Sequence, residues 1–390
     1  MVSVFEALVG QQDALVMLQA AARRSSTGAA NAAMTHAWLF TGPAGSGRSV
    51  AALAFAAALQ CEQGGCGACH ACHTTLAGSH ADVRRVIPEG LTIGVDDMRA
   101  LVLRAASSPT VGRWQILLIE DADRLTEAAA NALLKAVEEP AARTIFLLCA
   151  PSIHPEDVSV TLRSRCRLVM LRSPSSDAVA SVLVRRDGVS PRTAQWAAAA
   201  AQGHVGRARR LAVDAAAQQH RAAVLGLPRS LSGVGACFAA ADELIKQTDA
   251  QASALIGESD EYESEQLTRA LGAGGSGKGS QAAARGASAA QKELARKQKS
   301  RATRTRRDCL DRALVDLAAF YRDVLMVCVG AGSELVHPDV AEVSQAAAAR
   351  WSAESIVRRI DAVLACRDAI AENVKPRIAV EAMMLTLHEG

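Results

Sequence analysis

The sequence predicts an α/β fold built on a parallel sheet, with helical segments after it. Residues 116–119 (Ile-Leu-Leu-Ile) are a continuous apolar run ending in two acids, Glu120 and Asp121. Thr144 to Ala150 is a second apolar run of the same kind. Such runs mark strands buried on both faces of a parallel sheet. His36 to Phe40 reads as a third strand and feeds at once into Thr41-Gly42-Pro43-Ala44-Gly45-Ser46-Gly47-Arg48-Ser49. A helix from Val50 to Leu59 follows, and strand, glycine-rich turn, helix is the context a phosphate loop requires.

The bulk numbers set bounds on the rest. At 390 residues the chain has length for two or three domains with sizeable cores. Half of it is hydrophobic while aromatics are 3%, which suggests much helix and small-residue packing. A net charge of +3 is too small for a whole-protein field that attracts nucleic acid, so local charge must carry any such role. No leader-like n-region opens the chain and no apolar run nears membrane-spanning length, so a cytoplasmic location is expected. In that setting the ten cysteines should be free, buried or metal-bound.

In chain order, Val4 to Gln11 leads into a helical stretch, and residues 83–87 read as a strand. Val95 to Ala106 reads as a helix. Thr126 can cap the helix that carries Leu133, Leu134 and Val137 on one face and that Pro140 stops. The loop past Ala150 delivers Arg163 and Arg165, and Pro174 marks a boundary. From Asp177 to about Ala217 the pattern is helical, as it is from Leu231 to Ile256.

Composition then changes. Glu258 to Glu265 is acidic and Leu271 to Gly279 glycine-rich, which predicts a flexible insertion. Lys292 to Arg307 is densely basic with no aromatic interleaved, so base stacking is not expected. It reads as a solvated helix, its acidic partner being 258–265 folded back, or as a contact to a phosphate backbone. From Leu310 through Leu314, Leu317, Tyr321 and Val324 apolar residues recur at helical spacing.

Cys61, Cys66, Cys69 and Cys72 fall within twelve residues, around a Gly64-Gly65-Cys66-Gly67 turn. Four thiolates at this spacing match a closed tetrahedral Zn2+ site, which is structural because no position is left for substrate. Redox thiols are the rival reading.

The blocks at 115–123, at 131–140 and at Ser164-Arg165-Cys166, collinear around a phosphate loop, resemble the clamp-loader branch of the AAA+ family. The resemblance covers residues 1 to about 210 and, less fully, the last 20. It implies an AAA+ P-loop domain over 1–173 carrying the zinc module at 61–72. A helical lid over 174–217 and an all-helical collar over 218–390, interrupted by the 258–307 insertion, complete the expected organisation. Within the branch, Glu-Asp-Ala-Asp-Arg at 120–124 and the altered loop resemble the delta-prime type of bacterial DNA polymerase III.

The same resemblance assigns Gly42, Gly45, Gly47, Arg48, Ser49, Glu120 and Asp121 to a degenerate nucleotide site. Arg48 stands where the motif has Lys, and a planar guanidinium does not replace a compact ammonium. Glu120-Asp121 inverts the order found in hydrolysing members, a shift that matters where rates punish errors of ~1 Å. The first sensor position falls at Ala150-Pro151 and the second at Gly206, neither with a polar side chain, Arg207 being one residue away. ATP hydrolysis is therefore not expected, and whether ATP or ADP occupies the loop stays open.

Arg165 is implied to be an arginine finger acting on a neighbour's ATP site. The implied partners are delta and gamma/tau subunits in a hetero-pentamer, and through it the sliding clamp and primed DNA. Two rival readings are an active gamma/tau-type ATPase and a stand-alone DNA-binding protein using 292–307.

Overall fold

The computed structural model describes residues 3–26, 35–270 and 280–390, in two compact units, 1–212 and 213–390. The glycine-rich stretch 271–279 lies outside the described residues.

The first unit holds five parallel strands: β1 (Ala37–Thr41), β2 (Val83–Val86), β3 (Gln115–Ile119), β4 (Thr144–Ala150) and β5 (Arg167–Met170). Their order is β2-β3-β4-β1-β5. Every residue of β1 and β4 is buried, which is why these segments read as unbroken apolar runs. Helices α1 (Gln12–Ser26), α2 (Arg48–Gln60), α3 (His70–Leu76), α4 (Val95–Ala105), α5 (Glu127–Glu138) and the short α6 (Val160–Arg163) accompany them. One sheet face packs Trp38, Phe40, Ile116, Leu118 and Leu147 against α1 and the alanine-rich α2. The other packs Leu39, Leu117, Ile119 and Leu148 against α4 and α5. Thr126 caps α5, its Oγ1 accepting from the amide of Ala129 at 3.3 Å.

Three helices close the unit: α7 (Ser176–Asp187), α8 (Pro191–Ala200) and α9 (Val205–Val213). Ser175 and Ser190 cap the first two. Val179, Val182 and Leu183 of α7 and Ala194, Ala197 and Ala198 of α8 are buried, the alanines permitting close approach of the two backbones.

The second unit is all helical: α10 (Ala215–Ser230), α11 (Val234–Ala270), α12 (Ser280–Cys328), α13 (Ala341–Ala348), α14 (Ala353–Ala371) and α15 (Pro376–Glu389). Its core gathers Leu244, Leu310, Leu314, Leu317, Phe320, Tyr321, Val324, Val363, Val380 and Met384. Arg221, buried, donates to both carboxylate oxygens of Asp339 at 2.6 and 2.9 Å and lies 2.9 Å from Nδ1 of His337. Asp323 accepts from the amides of Val336 and His337, so the buried charges of this network are met.

The flexible insertion expected over 258–307 is overturned where residues are described: 258–270 continue α11, and 280–307 open α12. The two helices run antiparallel. Arg301 donates to Asp260 and, with two bonds of 3.0 Å, to Glu263. Arg306 pairs with Asp249, and Gln298 donates to the Asp260 carbonyl and to Ser264. The acidic run does fold back on the basic one. Opposite charges facing across the pair give each helix the partner that the acidic and basic runs suggest, while local propensity alone does not announce the pairing.

Candidate nucleotide site, exposed arginine and cysteine cluster

The loops at the carboxyl edge of the sheet converge on residues 42–49, between β1 and α2. The amide of Gly42 donates to the carbonyl of Pro151, which lies just past β4, and the amide of Leu171, just past β5, donates to the carbonyl of Thr41. Gly45 has φ +85°, and a Cβ there would stand 2.6 Å from the backbone of His204 at the start of α9. Only glycine fits both conditions. Gln11 pins the arrangement from the N-terminal side: its Nε2 donates to the carbonyls of Ser46 (3.2 Å) and Arg172 (2.6 Å), and its Oε1 accepts from the Arg172 amide.

Arg48 opens α2, and its Nη1 is buried with no protein partner, as is Oγ of Ser46. Ser49 lies within hydrogen-bonding reach of the Cys149 thiol at the end of β4. Asp121 takes a left-handed backbone, φ 52°, as β3 turns into a short 3-10 turn over Ala122–Arg124. Asp123 sits beyond it with Oδ1 buried and unpartnered; burial first, then the charge of Asp121, push its carboxyl above the ordinary range. Glu120 ends β3 on the sheet face that carries α2, and an ion pair with Arg85 of β2 holds it. The structure thus brings together Gly42, Gly45, Gly47, Arg48, Ser49, Glu120 and Asp121 with Gln11, Asp123 and His204 from other segments the sequence marks, and adds Arg85, which the sequence does not single out.

The fit to a nucleotide is uneven. Orphaned donors at Ser46 and Arg48 suit phosphate oxygens. The acid that the resemblance places on the metal side already has a cation.

Arg165 follows α6 and is part exposed. Its Nη2 lies 2.7 Å from Oε1 of Glu138, the last residue of α5. Its Nη1 donates to the Thr161 carbonyl at 3.0 Å. The guanidinium is thereby held on the surface and not folded into the core. The neighbouring Cys166 is half-buried, and burial raises its thiol to about 12, so it is no nucleophile.

Cys61, Cys66, Cys69 and Cys72 place their sulfurs within 4.8 Å of one another. Cys61 stands 3.7 Å from both Cys66 and Cys69. Four thiolates ~2.3 Å from a tetrahedral Zn2+ are ~3.8 Å apart, so the group fits the ion. Gly65, φ +108°, leaves no room for a Cβ, which would stand 2.7 Å from Val4. Burial pushes the Cys61 thiol up, but the amides of Cys66, Gly65 and Gln63 outweigh it and bring it down to about 7. Burial raises Cys69 and Cys72.

Comparisons with known proteins agree with this assembly. The family described as "DNA polymerase III, delta subunit" matches residues 17–175, and "DNA polymerase III, delta subunit, C terminal" matches 307–389. The chain is 37% identical over 153 residues to the DNA polymerase III subunit delta' of Pseudomonas aeruginosa, covering 38% of this chain and 45% of that protein. It is 37% identical over 145 residues to that of Escherichia coli (36% and 43%). Subunit gamma/tau of Mycobacterium tuberculosis is 32% identical over 240 residues, 51% of this chain and 41% of that protein. The matches span less than half the length of these relatives. Over residues 17–175 and 307–389 the chain is thus similar to DNA polymerase III delta-subunit families, with delta' and gamma/tau subunits among its relatives.

Proposed function

We propose that this chain is a delta-prime-type subunit of a DNA polymerase III clamp loader that does not hydrolyse ATP itself. It presents Arg165 to the ATP site of a neighbouring subunit and helps the assembly place a sliding clamp on primed DNA. One observation carries the reading: the exposed, carboxylate-held Arg165 stands on a chain whose own loop has Arg48 in place of Lys and whose Glu120 is paired to Arg85. Zn2+ held by the four cysteines has no open position and tethers the end of α2 to the start of α3. The pairing of Arg296, Arg301, Arg304 and Arg306 with acids of this chain supports the solvated-helix reading over DNA contact.

Reconstitution tests the role of Arg165. In complex with delta and gamma/tau subunits, at saturating clamp and primed DNA, Arg165→Ala should leave assembly intact. It should lower turnover at the adjoining site by ~10³-fold, total ATPase by less, and clamp loading severely. The isolated chain should hydrolyse ATP no faster than its Ser49→Ala variant. The gamma/tau match, which spans half the chain, favours the active-ATPase alternative. Ser49-dependent turnover by the isolated chain would establish that alternative, and a mutant complex with wild-type turnover and loading would remove Arg165 from the mechanism.

A further inference from the structure

We propose that Arg85 closes the divalent-cation half of the nucleotide site, so that any nucleotide this chain takes is held by Arg48 and the loop amides with no dependence on magnesium. The inference rests on the non-hydrolysing reading above and names what enforces it.

The register of the sheet places the pair. In β2 and β3, Val83 lies beside Ile116, Arg85 beside Leu118 and Val86 beside Ile119, and the amide of Glu120 donates to the Val86 carbonyl at 2.9 Å. Residues directly beside one another share a face, so Arg85 projects on the face of Val83, Ile116 and Leu118, which is the face of α2. Glu120, two residues past Leu118, projects on that face too. Arg85 Nε meets Glu120 Oε1, and the carboxylate is only 12% exposed.

A magnesium site needs a carboxylate that is free to take the ion or its water shell. Here one positive charge already sits on that carboxylate, and a guanidinium cannot shed its proton to make way. Meanwhile the orphaned donors of Ser46 and Arg48 lie across the loop, ready for phosphate oxygens. The site is equipped for an anion, and the acid at the end of β3 that would face its usual counter-ion is already paired.

The test uses the purified full chain and fluorescent mant-ADP, titrated in EDTA and in magnesium, with ATP turnover followed in the same samples. The wild type should show the same affinity in both media, or no binding in either. Arg85→Gln, checked for an unchanged melting temperature, should bind at least tenfold more tightly with magnesium than with EDTA. Adding Glu120→Gln to that variant should abolish the difference. Manganese in place of magnesium should quench or broaden probe signals in Arg85→Gln only. Magnesium-tightened binding by the wild type, or an Arg85→Gln variant that gains no metal dependence, overturns the inference even where turnover is absent. Turnover by the wild type overturns the non-hydrolysing reading instead.

Discussion

Asp82 shows how one residue can order a loop that carries no secondary structure. Its carboxylate accepts from the amides of Thr110, Val111 and Gly112 and from the Thr110 hydroxyl. Burial alone would raise its pKa, but these bonds outweigh burial and hold it at about 2. A depressed carboxyl contributes stability that is fully present above its unfolded value near 4 and is lost as pH falls through about 2. Asp82→Ala should cost about 1–3 kcal/mol in denaturant unfolding at neutral pH, since three backbone donors lose their partner. The same variant should flatten the loss of stability between pH 4 and 2; an unchanged acid limb would separate the loop from Asp82. The sequence shows none of this, because acid and loop are 28 to 30 residues apart. The phosphate-loop residues were legible, since a glycine-rich turn between strand and helix is a local pattern. Arg85 was not: in Val-Arg-Arg-Val one arginine faces solvent and the other an acid, and only the register with β3 tells which.

At the scale of elements, strands and capped helices were the most readable. β1, β3 and β4 are continuous apolar runs, and Thr126 starts α5 where its side chain can cap. The α11–α12 pair was readable only as opposite charge: the acidic 258–265 offered a partner for the basic run, but that Arg301 meets Asp260 and Glu263 across 41 and 38 residues depends on the helical pairing. Charges spread around a single helix look like solvent-facing charge until the opposing helix is known. Part-exposed pairs of this kind contribute about 1 kcal/mol or less each and weaken with salt. Arg301→Ala should therefore leave the apolar core around Leu314 and Tyr321 intact while hydrogen exchange quickens in 258–270 and 292–303. Raising NaCl to about 1 M should reproduce much of that effect in the unaltered chain. Exchange unchanged by both treatments would mean that packing, not charge, holds the distal part of the pair.

At the scale of the molecule, the two units have separate cores, and their responses to metal removal should differ accordingly. The cysteine cluster lies in the first unit, where Cys61 and Cys72 belong to the same core as Phe55 and Trp38. One equivalent of zinc should copurify under reducing conditions, and a strong chelator should lower the melting temperature of the first unit while that of the second stays put. A chain that purifies without zinc, or whose two transitions fall together, would exclude the cluster as a local staple. Among the described residues no helix is long and apolar enough to cross a membrane. By compactness the chain divides between Ala212 and Val213, just before Asp214, which caps α10. Composition cannot reveal such a seam, for both sides are alanine-rich helix.

Gln11 has a mechanical consequence. The Nε2 of its single planar amide donates to the carbonyls of Ser46 and Arg172 while its Oε1 accepts from the Arg172 amide, so one side chain grips the loop and the exit from β5 together. Arg172 is the last residue but one before Pro174, where the chain leaves the sheet for α7. A rigid tie of this length transmits displacement without amplifying it: if the exit from β5 shifts, the turn that would cradle phosphate shifts with it. Whatever pulls on the helices after β5 therefore tugs on the far end of β1 as well, through one side chain drawn from the start of the protein.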